Sequence, residues 1–180
     1  MNSKRFLFVL LFCGYLLTGQ HPNPAYWQQH VDYTMEVELD VKTFAFVGTQ
    51  DLVYTNHSPD VLTKVYYHLY FNAFQPGSQM DIRSRTIADP DRRVGGRIEK
   101  LLPEEVGKLH IVELSQDGQP VLFSEEGTLA IVILSKPLLP GESTTLSMTF
   151  EGQVPKQIRR SGRDNKEGVS LSMTQWYPKL

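Results

Sequence analysis

Cysteine is nearly absent from this chain of 180 residues: there is one, Cys13, and it sits inside an apolar run. Without a second cysteine no disulfide can close within one copy, and a thiolate-built metal site is excluded. Long apolar runs are missing too. The longest, Phe6 to Leu17, has twelve residues, whereas a membrane-crossing helix needs about 20. It follows the basic stretch Asn2-Ser3-Lys4-Arg5 and precedes Thr18-Gly19-Gln20. That arrangement predicts a cleavable export signal over residues 1–20, cut after Gly19 or Gln20, and no transmembrane span. Phe12 before Cys13, and the apolar residues after it, argue against a lipoprotein site. With the signal and Cys13 gone, no thiol chemistry is left to the chain. An excess of positive charge is lacking as well: beyond residue 20, sixteen basic residues face twenty acidic ones, a net charge of −4 with histidines neutral. Such a balance offers nothing to nucleic acid or an anionic membrane.

Catalytic signatures are equally scarce. The histidines, His21, His30, His57, His68 and His110, form no His-Glu-x-x-His or other close ligand pair, so the chain itself is expected to bind no metal. There is no Gly-x-Ser-x-Gly elbow, and Gly95-Gly96 is too short to cradle a phosphate. Glu36 and Glu38 fall on the wet side of an alternating segment, while Glu104-Glu105 and Glu125-Glu126 fall in turns. Solvation accounts for these carboxylates better than acid–base work.

What the chain does have is alternation of period two. Val31, Tyr33, Met35, Val37 and Leu39 alternate with Asp32, Thr34, Glu36, Glu38 and Asp40, a strand with one wet face. Phe44, Phe46, Gly48, Leu52 and Tyr54 continue it after the turn at Val41-Lys42-Thr43, with Gly48 a bulge or a point of close approach. Asn56-His57-Ser58-Pro59-Asp60 is a turn. The most aromatic stretch, Val65 to Phe74, places Val65, Tyr67, Leu69 and Phe71 on a buried face and Tyr66, His68 and Tyr70 on the other, before Asn72-Ala73-Phe74 breaks the pattern.

Between Gln75 and Gly107 alternation fades into a mixed-charge segment containing Arg83, Arg85, Asp89, Asp91, Arg92 and Arg93, read as a charged loop. Further strands begin at Leu109 and at Val121-Leu122-Phe123, separated by the Asp117-Gly118 hairpin turn. Ala130 to Leu134 is apolar on both faces, which predicts a central strand covered from two sides. Leu146, Met148 and Phe150 alternate again, Lys156 to Gly168 reads as an exposed loop, and Val169 to Thr174 alternates once more. No helical periodicity stands out beyond the signal. The expected fold is all-β, an antiparallel β-sandwich or saddle-shaped double sheet, with residues 21–168 as the domain and 169–180 as its last strand and the start of a junction. An ending on Gln175-Trp176-Tyr177-Pro178-Lys179-Leu180 reads as that of a fragment cut before a second domain.

Four stretches, in order, carry a resemblance: Asn56-x-Ser-Pro-Asp; Val65-Tyr-Tyr-His-Leu-Tyr-Phe-Asn-Ala-Phe; the turn Leu138-Leu-Pro-Gly-Glu-Ser before an alternating strand; and Gln175-Trp-Tyr-Pro-Lys. From about Tyr26 to Leu180 the chain resembles the N-terminal domain of zinc metallopeptidases of the aminopeptidase N and leukotriene hydrolase family, in its exported bacterial branch. The resemblance implies a non-catalytic, saddle-like β-domain docked on a catalytic domain of the same polypeptide, which would hold Zn²⁺ through a His-Glu-x-x-His helix and a downstream glutamate. It implies a peptide substrate at the domain seam and a periplasmic, cell-surface or secreted location. Gln175 matches the residue this domain lends to the pocket for the substrate's free amine; the same residue reads equally as a glutamine at a domain seam. Two other readings fit the residues: a stand-alone exported β-sandwich that binds protein or carbohydrate, and a catalytically dead relative.

Overall fold

The structure is a computed structural model and describes residues 26–87, 95–165 and 167–180. The expected export signal, Cys13, His21 and the charged group Asp89, Asp91, Arg92 and Arg93 lie outside the described residues. Period-two segments become antiparallel strands: β1 (His30–Leu39), β2 (Ala45–Thr55), β3 (Leu62–His68), β4 (Lys108–Gln116), β5 (Gln119–Pro120), β6 (Leu122–Glu126), β7 (Leu129–Leu138), β8 (Ser143–Gln153), β9 (Gly162–Arg163) and β10 (Leu171–Ser172). They assemble into a five-stranded sheet ordered β1-β2-β8-β4-β5, a three-stranded sheet ordered β3-β7-β6 and a small β10-β9 pair. The fold is all-β. No helix among the described residues is long and apolar enough to cross a membrane.

One core joins the two larger sheets. Phe46, Leu52, Leu146, Phe150, Leu109 and Ile111 from the first meet Val65, Tyr67, Ala130 and Val132 from the second, all nearly or fully buried. Gly48 proves to be a close approach and not a bulge, because β2 pairs with β8 without a register break. Gly48 lies opposite Phe150, and Gly152 opposite Phe46. A Cβ at either glycine would enter the facing ring, so each aromatic is laid flat across its partner strand's glycine. Asp117 and Gly118 take φ values of 49° and 78°, the left-handed pair that the Asp-Gly signal predicts.

Four expectations need correction. The aromatic strand stops at His68, and Tyr70–Phe74 is a 3₁₀ turn. Val65, Tyr67, Leu69 and Phe71 are nonetheless all buried, because the turn still points Phe71 inward. Asn72 explains the break: its carboxamide accepts from Leu109 N at 2.8 Å and donates to Leu109 O at 2.9 Å and Gly127 O at 3.1 Å. A side chain here takes the place of a strand partner. Second, a helix exists, α1 (Gln79–Thr86), inside the segment read as a charged loop. Ser78 accepts from Asp81 N at 3.1 Å, and Asp81 reaches back to Gly77 N at 2.8 Å and to Arg85 at 3.1 Å. Local capping, not an apolar stripe, holds it.

Third, β7 is central by pairing but covered on one face only. Ala130 and Val132 are fully buried while Ile133 is 49% exposed on the outer side. Fourth, the loop after Pro155 is not wholly exposed. Ile158 is fully buried with Ile98 in a second small cluster, against Phe74, Met80 and Leu101.

The last residues close the sandwich. β1 and β3 are the free edges of the two sheets on one side. Lys179 pairs with His68 at the end of β3, with N–H···O distances of 2.7 and 3.1 Å. Leu180 N donates to the Tyr33 hydroxyl on β1 at 2.9 Å, and Gln50 Nε2 on β2 donates to Pro178 O at 3.0 Å. Trp176 sets its ring edge-on to Phe46 at 5.9 Å, and Tyr177 does the same to Tyr33 at 5.6 Å. Residues 176–180 are thus a strap bonded to both sheets. Across the molecule the opposite seam is stitched by side chains: Glu125 of β6 accepts from Ile111 N of β4 at 2.7 Å, and Gln116 of β4 bonds Lys136 N and O of β7.

Leu69 is fully buried between these layers. Leu69→Asp puts an unpaired charge there, at a cost of about 3–5 kcal/mol. We expect no soluble, cooperatively unfolding protein; circular dichroism melting checks this, and a normal melt would mean the face is wrongly assigned.

Candidate functional site

The strap emerges at Gln175, whose backbone φ of 57° lies in the left-handed region that a glutamine seldom occupies. Both flanks enforce it. On one side Trp176 is packed on Phe46. On the other, Ser161, almost fully buried, grips Thr174 by three bonds. Its hydroxyl donates toward Thr174 O at 2.8 Å, lies 2.9 Å from Thr174 Oγ1, and accepts from Thr174 N at 2.9 Å. Held between these anchors, Gln175 is exposed, and its carboxamide has no partner among the described residues.

Gln175 stands at the mouth of a cleft of about 420 Å³ with an apolar floor of Ala73, Phe74, Met80 and Ile158 and a wall containing Tyr70. Three separate parts of the chain build it. The 3₁₀ turn brings Tyr70 and Phe74, and α1 brings Met80. The loop at 158–161 is drawn in by buried Ile158 and closed by paired N–H···O bonds between Ile158 and Ser161 at 2.9 and 3.3 Å. Arg159 and Arg160 add cationic side chains to the rim.

An ion pair, a hydrogen bond and a cation–π contact tie that loop to the domain. Lys156 Nζ lies 2.6 Å from Glu105 Oε1, and Arg163 donates to Glu104 O at 2.6 Å while its guanidinium sits 4.7 Å over the Phe44 ring. Hydrogen bonding from Lys156, then from Leu102 N, holds the Glu105 carboxyl below its usual range. A carboxylate pKa lowered by folding contributes stability that is complete above its unfolded value, about 4.5, and is lost as pH falls through the lowered one. The Lys156 side chain is 43% exposed and that of Glu105 18%, so solvent screens the pair in part and its worth is modest.

The four described histidines have structural partners. His30 Nε2 lies 3.0 Å from Asp32, and His57 Nδ1 lies 3.0 Å from Gln28 O with its ring stacked on His30. His68 stacks on Tyr70 at 4.9 Å, and His110 Nδ1 lies 2.7 Å from Glu125. Among the described residues, no three His, Cys, Asp or Glu side chains gather where they could hold a metal ion. Burial raises the pKa of the Tyr67 phenol far above its usual value, so it stays neutral and unreactive. A broader groove of about 700 Å³ lies elsewhere, beside β2, β8 and β4 and the β5–β6 junction, lined by Thr49, Asp51 and Glu113 and by the apolar Pro120, Val121 and Phe123.

Of the residues expected at a site, Gln175 alone was named, and it borders a cleft. Ser161, Ile158 and Met80 were missed. The one available signal was Ile158, a lone aliphatic residue in a polar loop.

No protein-family model matches the chain, and no curated protein matches it. Solved structures do. A mutant M1 zinc metallopeptidase from Deinococcus radiodurans aligns at 16% identity and a TM-score of 0.49, over 83% of this chain and 28% of that one. A two-domain M1 zinc metallopeptidase mutant bound to L-tryptophan aligns at 17% identity and a TM-score of 0.47, over 82% and 27%. The M1 zinc metallopeptidase from D. radiodurans itself aligns at 17% identity and a TM-score of 0.47, over 81% and 26%. The chain spans about a quarter of the length of the structures it matches.

Removing the clamp should free the site without unfolding the domain. Ser161→Ala leaves Thr174 N and O without their partner, a local cost of about 1–3 kcal/mol. Amide exchange of residues 172–176 should speed up about 5- to 100-fold, while exchange in β7 and β8 stays unchanged; unchanged exchange at 172–176 would show that the clamp does not hold Gln175.

Proposed function

We propose that this chain is the non-catalytic N-terminal β-domain of an exported zinc aminopeptidase-type metallopeptidase that releases N-terminal residues from peptides. One observation carries the reading. Gln175, which the resemblance assigns to the pocket for the substrate's free amine, leads a segment, Trp176-Tyr177-Pro178-Lys179, that is anchored into both sheets and holds it out at a cleft. A polar residue held in a strained backbone, bonded to nothing among the described residues and backed by rigid anchors, is the form a recognition residue takes.

The chemistry asked of Gln175 is modest. Its carboxamide oxygen can accept a hydrogen bond from a peptide's terminal ammonium, which orients the substrate without taking part in bond breaking. The described residues do not offer a donor set for zinc, so in this reading the metal and the hydrolytic step belong to a catalytic domain of the same polypeptide. Export rests on the basic and apolar segment at residues 1–20.

The test is made on the product of the complete reading frame. It should contain a downstream His-Glu-x-x-His and show zinc-dependent hydrolysis of aminoacyl chromogenic substrates, while the 180-residue chain shows none. Gln175→Ala should lower kcat/KM about 10- to 100-fold, the worth of a hydrogen bond to a charged group, with Tm unchanged. Turnover by the 180-residue chain alone, or an unaltered kcat/KM in Gln175→Ala, contradicts the reading.

A further inference from the structure

The groove of about 700 Å³ beside β2, β8, β4 and the β5–β6 junction has no part in the functional reading. Its floor is the side of the five-stranded sheet that faces away from the core. Thr49 and Asp51 on β2 alternate with buried Gln50 and Leu52, and Ser147 and Thr149 on β8 alternate with buried Leu146, Met148 and Phe150. Register sets Thr49, Thr149 and Glu113 in one row and Asp51, Ser147 and Ser115 in the next. At the far side Pro120, Val121 and Phe123 add an apolar wall.

Glu113 reaches this floor because β4 breaks its own alternation. Leu109 and Ile111 are buried, so strict period two would turn Glu113 into the core. Instead the register shifts between Ile111 and Glu113, Val112 is left over, and Leu114 takes the inward place. A bulge of this kind re-aims a side chain. Here it delivers a carboxylate to a groove.

Charge decides what the groove can hold. Nearby, the fold pairs its carboxylates: Glu151 lies 2.6 Å from Lys108 Nζ, and Glu125 lies 2.7 Å from His110 Nδ1 and accepts from Ile111 N. Among the described residues Asp51 and Glu113 have no such partner, and no lysine, arginine or histidine lines the groove. Glu36 on β1, opposite Thr49, adds a third carboxylate at the rim. Anions are repelled here, and an uncharged saccharide would use the hydroxyls but leave both carboxylates to water. A lysine or arginine side chain uses all of it, with its apolar stem on Val121 and Phe123 and its charged head on a carboxylate.

Spacing fixes the rest. Asp51 and Glu113 stand two strands and one outward row apart, about 10 Å by 7 Å, or about 12 Å in all. In an extended peptide, residues i and i+4 project from the same side about 13 Å apart. The geometry points to a second binding site, which takes an extended peptide segment with basic residues four positions apart, one head on Asp51 and the other on Glu113. This inference does not rest on the functional reading, since it uses neither Gln175 nor a peptide's free amine.

The probe is an N-acetylated, C-amidated heptapeptide of alanine and glycine with arginine at its second and sixth positions, titrated calorimetrically into the 180-residue chain at low salt. We expect it to bind at least tenfold more tightly than the same peptide with citrulline at both positions. Asp51→Asn and Glu113→Gln should each weaken binding about 3- to 10-fold, with Tm unchanged because both side chains are exposed. Glu38→Gln, on the same sheet but outside the groove, should leave binding as it is. In the unaltered chain, amide shifts on titration should centre on residues 49–51, 113–115 and 147–149.

Equal binding of the citrulline peptide, or binding of neither, overturns the site. Equal weakening by Glu38→Gln shows diffuse attraction to an acidic protein and overturns it. Amide shifts centred elsewhere, or equally tight binding of a peptide whose two arginines are adjacent, also overturn it. Chitohexaose that binds more tightly than the arginine peptide, and is released by Asp51→Asn and Glu113→Gln, identifies a glycan site and overturns it as well. None of these outcomes touches the functional reading, because the blocked peptide presents no ammonium to Gln175.

Discussion

Two sheets laid face to face share a core, but they leave a gap wherever neither sheet has a strand to spare. Here the gap runs between β1 and β3, edge strands whose backbone groups would otherwise face solvent or a stray partner. Residues 176–180 fill it. Each successive residue is spoken for: Trp176 by Phe46, Tyr177 by Tyr33, Pro178 by Gln50, Lys179 by His68 and Leu180 by the Tyr33 hydroxyl. The opposite seam, between β4 and the β6–β7 hairpin, solves the same problem with long polar side chains, Glu125 and Gln116. Asn56 repeats the device at a third junction, donating to Leu138 O and Asp60 O while accepting from Ser58.

Closure of the first gap also sets the backbone at the edge of the cleft. A chain held at Trp176 by Phe46 and at Thr174 by the buried Ser161 hydroxyl has no freedom to relax between them, so the strain falls on Gln175. Arg159, in the facing loop, is likewise left-handed, with φ of 56°. Strained residues on both sides of one apolar cleft mark where the fold spends stability on geometry. The same strap, by pairing with His68, joins the cleft to the end of the three-stranded sheet.

Much of this was legible in the sequence, and the exceptions have physical causes. Period-two alternation reports which residues face inward, so Val65, Tyr67, Leu69 and Phe71 were read correctly even though the backbone changes from strand to 3₁₀ turn between His68 and Tyr70. Alternation cannot report where hydrogen bonding ends; Asn72 decided that through residues 37 and 55 positions away. α1 escaped because nothing in it repeats every three to four residues, and its evidence was the small matter of Ser78 preceding Asp81. Ala130 to Leu134 was read as doubly covered because hydropathy records what a face prefers and not what lies on it. Gln175 came from a resemblance, not from pattern. Its neighbours Tyr70, Met80 and Ser161 are brought together only by folding, and no local rule links them.

The claim on which the rest depends is that the strap is part of the folded sandwich and not a loose end laid against it. Native-state amide exchange of His68 and Lys179 tests that most directly, since each amide donates to the other residue's carbonyl. Protection at both amides within about tenfold of that at Ile131 and Val132 in β7 is the predicted result. Exchange at the unprotected rate, with β7 still fully protected, would contradict it.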